Sequence, residues 1–80
     1  MIIMVEVELN LMLVEIAGQK HLKLEIGDQM PLDEFIAFVG LHEGDVGMML
    51  VNKEWAPVVG EGNVIRDGDY VQLYPMLEGG

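Results

Sequence analysis

The chain has no cysteine, and no serine or threonine either. The first absence excludes disulfides, thiolate metal clusters and a cysteine nucleophile. The second removes the aliphatic hydroxyl nucleophiles, so acyl transfer on a Ser, Thr or Cys side chain is excluded. Positive charge is scarce: four Lys and Arg stand against fourteen Asp and Glu, a formal net charge of −10. Nucleic acid and anionic membrane both reward a basic surface, so neither is an expected partner. The same balance suits steering towards a basic protein. The apolar stretch 1–17 is interrupted by Glu6, Glu8 and Glu15, with no positive residue ahead of it. It reads as neither signal peptide nor membrane span, and a cytoplasmic setting is expected. No histidine pair has metal-ligand spacing: His42-Glu43 with Asp45 reads as a solvated loop and Asp67-Gly68-Asp69 as a turn. No metal site is expected.

What is present is apolar residue in alternation. The 80 residues are 51% hydrophobic, enough for one small core and no second domain. Val5, Val7 and Leu9 alternate with Glu6, Glu8 and Asn10, which predicts a strand with one buried face that ends or bends near Asn10. Gly18-Gln19 offers a turn, and 21–26 alternates again, giving an opening hairpin with a long connection. From Pro31 the spacing of Leu32, Phe35, Ile36 and Val39 predicts a short amphipathic helix. Pro31 is expected at its first position, Asp33 and Glu34 at its positive end, and Gly40 as its stop. Phe38 lies off the apolar stripe. Met48-Met49-Leu50-Val51 reads as an interior strand, Asn52-Lys53 as a turn, and 55–59 as a short strand interrupted by Pro57, with Trp55 capping an edge of the core. Asp67-Gly68 leads into a last strand, 70–74. One helix on one face of a mixed sheet is a two-layer α+β arrangement.

This order, together with Leu50-Val51-Asn52 before a turn, Asp67-Gly68-Asp69 before the last strand and the terminal Gly79-Gly80, resembles the ubiquitin-like sulfur carriers of the MoaD/ThiS family. The resemblance runs over the whole chain, and Pro75 gives the tail a MoaD-like look. It implies a β-grasp fold, a mixed four- to five-stranded sheet with one helix on one face, spanning 1–75 and followed by a flexible tail, 76–80.

The resemblance also implies a chemistry in which the chain is a co-substrate and not an enzyme. An adenylating enzyme of the ubiquitin-activating type would join the Gly80 carboxylate to AMP from ATP. Sulfuration of the adenylate would give a thiocarboxylate that donates sulfur in cofactor synthesis. In the MoaD setting the chain would be the small subunit of molybdopterin synthase, its tail inserted in the large subunit. The alternatives are a ThiS-like carrier serving a thiazole synthase, a carrier for another sulfur product, and a protein modifier conjugated through Gly80. No cofactor is expected on the chain itself, since ATP is used by the partner. Gly79 and Gly80 lack Cβ atoms, so the tail can pass close to enzyme backbone and nucleotide.

A partner face follows from the alternation. With Val5, Val7, Val71 and Leu73 under the helix, Glu6, Glu8, Tyr70, Gln72 and Tyr74 turn outward. One parity of strand 48–51 must join them, and Met49 with Val51 is the preferred choice over Met48 with Leu50. Met49, Val51 and Tyr74, with Met76, Leu77 and Glu78 of the tail, are the expected partner-binding residues.

Overall fold

The period-two run becomes β1, Ile3–Leu9, with Ile3, Val5, Val7 and Leu9 buried and Glu6 exposed on the opposite face. The computed structural model describes residues 2–56 and 64–76. In it β2, His21–Ile26, pairs antiparallel with β1 from Ile3 opposite Ile26 to Glu8 opposite His21. The connection between them holds an element that the alternation did not predict. Met12–Ala17 is a helix, α1, with Leu13 fully buried. Leu13, Val14 and Ala17 pack on the core at helical spacing. Within the all-apolar run 11–14 a period of two and one of 3.6 cannot be told apart, so Leu11 and Leu13 do not continue the strand.

The chain enters α1 through a tight turn. The Leu13 amide donates to the Asn10 carbonyl at 3.2 Å, and Leu11 between them lies at φ 55, ψ −131. That is the backbone of the first central position of a type II′ turn, where glycine is the favoured residue. A leucine there costs about 1–3 kcal/mol.

The second helix, α2, is Leu32–Val39, with Leu32, Phe35 and Ile36 buried. Pro31 is its N-cap, at φ −60 and ψ 154, and not its first helical residue as expected. The extended ψ lets Met30–Pro31 form a strand, β3, which pairs antiparallel with β6, Val64–Ile65. At the other end Gly40 takes φ 101. Its amide donates to Ala37 O and that of Leu41 to Ile36 O, closing the last turn as expected for glycine past a helix end. Phe38 is exposed, off the packed stripe.

A one-turn 3-10 segment, Glu43–Asp45, leads into β4, Val46–Val51, which turns at Asn52-Lys53 into β5, Glu54–Ala56. Both turn residues have positive φ, 54 and 69, the hairpin geometry that matches strand twist. The rest of the expected strand 55–59 and the expected loop 60–63 lie outside the described residues. The last strand, β7, is Tyr70–Pro75, entered through a turn with Gly68 at φ 85.

The main sheet runs β2-β1-β7-β4-β5, with β1 and β7 parallel and the other pairs antiparallel. α2 covers one face through Phe35 and Ile36, and the core lies between it and Val5, Val7, Met49, Val71 and Leu73. Among the described residues no helix is long and apolar enough to cross a membrane.

Candidate functional site

Strand pairing fixes the partner face that the sequence left between two choices. Met49 lies opposite Leu73 and Val51 opposite Val71, both buried in the core. Met49 is 0% exposed, so the preferred parity is corrected: Met49 and Val51 face the helix. Met48, opposite Tyr74, and Leu50, opposite Gln72, belong to the open face. The cause is a bulge at Gly47. Val46 pairs with Pro75 and Met48 with Tyr74, so one extra residue on β4 shifts every later side chain. A glycine just before an apolar run is the sequence signal for such a bulge.

Trp55 is corrected as well. It lies opposite Leu50 and is 68% exposed, so it extends the open face and caps no core edge. The face thus carries an apolar strip, Met48, Leu50 and Trp55, beside Tyr74.

Next to that strip stands a polar cluster centred on Glu8. Its carboxylate accepts the Tyr70 hydroxyl at 3.1 Å, Gln72 Nε2 at 3.1 Å and Asn10 Nδ2 at 3.3 Å. His21 Nε2 lies 3.6 Å from it. The Gln72 hydrogen bond, helped by those of Asn10 and Tyr70, holds the Glu8 carboxyl below its ordinary value against the opposing effect of burial. Partial burial, then the carboxylate beside it, push the Tyr70 phenol up. Tyr70 therefore stays a donor. Among the described residues no group of His, Asp and Glu could hold a metal ion.

The turn motifs hold β7 in place. Asn52 Nδ2 donates to Asp69 Oδ1 at 3.0 Å, and Asn52 Oδ1 accepts the Tyr70 amide at 2.9 Å. Asp67 Oδ1 accepts the Met4 amide at 2.8 Å. Asn52, Asp67 and Asp69 thus join the β4–β5 hairpin and β1 to the strand that leads to the tail.

β7 ends at Pro75, and Met76 is the last described residue, half exposed. Its amide donates to the Asp45 carbonyl at 3.1 Å. Gly47 permits this approach, because a Cβ there would lie 2.8 Å from both Met76 Cα and Pro75 O. The root of the tail is therefore held at one point of the sheet end. Leu77, Glu78, Gly79 and Gly80 lie outside the described residues.

No protein-family model matches the sequence, and no curated protein matches it. Solved structures do. Small archaeal modifier protein 1 from Haloferax volcanii is 28% identical, with a TM-score of 0.67 over 96% of this chain and 99% of that one. A Pyrococcus furiosus protein named as molybdopterin converting factor subunit 1 matches with a TM-score of 0.70 at 18% identity, over 94% and 99%. The Haloferax volcanii HVO 2177 protein matches with a TM-score of 0.76 at 19% identity, over 99% and 88%. This chain is a ubiquitin-like β-grasp. The likeness expected from 50–52, 67–69 and the terminal glycines is thus found in structures of the MoaD and archaeal modifier type.

Of the expected site residues, the β-grasp brings Tyr74 and Met76 together at one sheet end, with Met48 beside them. It leaves Met49 and Val51 on the core side. The sequence reading missed Trp55 as a surface residue, and it missed Leu11. The latter lines an open cleft of about 280 Å³ with Gly47, Met48, Tyr74, Pro75 and Met76.

Proposed function

We propose that this small ubiquitin-like protein is a sulfur carrier whose working group is the carboxylate of Gly80. The observation that carries this reading is the held exit at Met76. The strand in the middle of the sheet delivers the chain to an apolar sheet end, and Leu77 to Gly80 can reach a further ~14 Å from there. A body with no Ser, Thr or Cys nucleophile of its own suits a co-substrate whose reactive atom lies at the end of a narrow tail.

In the reaction, the Gly80 carboxylate attacks the α-phosphate of ATP on an adenylating enzyme of the ubiquitin-activating type, and pyrophosphate leaves. Hydrosulfide supplied on the partner side then attacks the acyl carbon, the bond to AMP breaks, and loss of the remaining proton leaves the thiocarboxylate. The adenylate step is needed because a carboxylate oxygen is a poor leaving group. Gly79 and Gly80 leave the acyl carbon free of side-chain bulk. The open face supplies docking area through Met48, Leu50, Trp55 and Tyr74, and the acidic surface attracts a basic partner from a distance. A molybdopterin synthase large subunit or a thiazole synthase would consume the sulfur.

Likeness to a small archaeal modifier protein favours a second reading, in which a lysine amine of another protein attacks the acyl carbon of the same adenylate, AMP leaves, and an isopeptide bond to Gly80 forms. Incubation with the cognate adenylating enzyme, ATP and a sulfur source, followed by intact-mass measurement, tests both. A gain equal to exchange of one oxygen for sulfur in the intact mass supports the carrier, and Gly-Gly remnants on lysines of other proteins, found after digestion behind Glu78, support the modifier. Gly79→Ala, or one residue added after Gly80, should abolish ATP–pyrophosphate exchange with an unchanged circular dichroism spectrum. Undiminished exchange by both variants overturns the tail mechanism.

A further inference from the structure

Leu11 poses a problem that neither folding nor packing solves. Its φ of 55 and ψ of −131 place it in a glycine-favoured conformation. Its side chain is 66% exposed, so burial returns almost nothing for the strain. Glycine at this position would relax the turn and would be tolerated at the N-cap of α1. A large apolar side chain held out to solvent at a backbone cost is the mark of a residue retained for contact with something else.

Its location says what. β1 and β7 are parallel neighbours, so the end of β1 and the end of β7 lie at the same edge of the sheet. The Asn10 amide and side chain both bond Leu73 O at 3.1 Å, and Leu11 follows immediately, across the cleft from Met76. Leu11, Met48, Tyr74 and Met76 thus surround the point where the chain leaves the body, and Met12 stands exposed next to Leu11, at the start of α1.

The length of chain beyond that point restricts the occupant. Four residues separate Met76 from Gly80, a reach of at most ~14 Å. Any enzyme that encloses the Gly80 carboxyl must press the mouth of its active site against this ring of residues, since no longer leash is available. The adjoining segments carry Glu8, Glu15 and Asp45, and one cation, Lys20, whose Nζ lies 3.3 Å from Asn10 Oδ1.

We propose that Leu11 and Met12 form, with Met48, Tyr74 and Met76, a collar at the tail root on which the tail-processing enzyme seats. The enzyme's side of the contact is an apolar rim set among basic residues. Leu11 is a specificity-determining contact separate from the strip of Met48, Leu50 and Trp55 on the sheet face. This rests on the reading that Gly80 is the reacting group. The side chain of Leu11 fills an apolar recess beside the entrance, and the three thioethers adapt to its wall.

The test is ATP–pyrophosphate exchange by the cognate adenylating enzyme as a function of carrier concentration, with thermal melts of each carrier. Leu11→Gly should keep or raise Tm and raise KM about tenfold, as expected for one leucine no longer buried at the contact, with kcat within about twofold. Met12→Gln, which disturbs no core contact, should raise KM severalfold with Tm unchanged. Unchanged KM in both variants overturns the collar while leaving the tail reading intact. A lowered Tm for Leu11→Gly overturns the argument from strain. If the wild-type chain supports no exchange at all, the tail reading falls and the collar with it.

Discussion

Glu8 accepts hydrogen bonds from three side chains on a face that is otherwise open to solvent. A carboxyl held below its ordinary value in the folded state contributes stability that is fully present above the unfolded value and is lost as the pH falls through the folded one. Replacing Glu8 by Gln should therefore cost about 1–2 kcal/mol at neutral pH. In urea denaturation the gap between wild type and variant should close as the pH falls through the lowered value of Glu8, below which both carry a neutral group. A gap that stays constant with pH would show that the carboxylate charge contributes nothing. At this scale much was legible. Asn52-Lys53 and Asp67-Gly68 announced their turns because turn chemistry is local. Leu11 and Trp55 were not legible, since exposure depends on what the rest of the chain brings alongside.

The bulge of β4 decides which side chains reach solvent and where the tail leaves. Gly47→Ala would set its Cβ against backbone atoms of Pro75 and Met76, which cannot rotate aside as a side-chain tip can. The expected cost is about 1–3 kcal/mol, with faster hydrogen exchange at the Met76 amide as its bond to Asp45 O weakens. Gly44→Ala, whose Cβ would meet nothing within 4 Å, serves as the control and should change neither. Equal behaviour of the two variants would remove Gly47 from the account of the tail root. Elements with a distinct period, β1 and α2, were readable from their own residues. α1 was not, because Leu11 to Val14 satisfies either period. The parity of β4 was not, because the bulge that sets it shows only in the pairing with Leu73 and Val71, twenty or more positions away.

For the molecule as a whole, the charge of −10 is spread over a body in which His21 Nε2 near Glu8, at 3.6 Å, is the one close approach of a basic to an acidic side chain among the described residues. Screening therefore removes mostly repulsion. Raising salt from about 20 mM to about 200 mM, which shortens the Debye length roughly threefold, should raise Tm of the isolated chain by a few degrees. A falling Tm would mean that attractive pairs dominate. The fold class followed from element order and from two short motifs joined to the terminal glycines. The candidate site was legible only in its chemistry: the residues that surround the tail root come from three separate segments, and only the topology assembles them.

That topology has a consequence for biosynthesis. The strand between β1 and β4 is β7, last in chain order among the described elements, so segments far apart in the chain must find each other before the sheet closes. Such long-range pairing delays folding until residues 70–75 have emerged. A nascent chain cut short ahead of them leaves β1 and β4 without their shared neighbour and has no closed body to offer. Completion of synthesis is thereby built into recognition: whatever is sturdy enough to dock has already been translated as far as the root of its own tail.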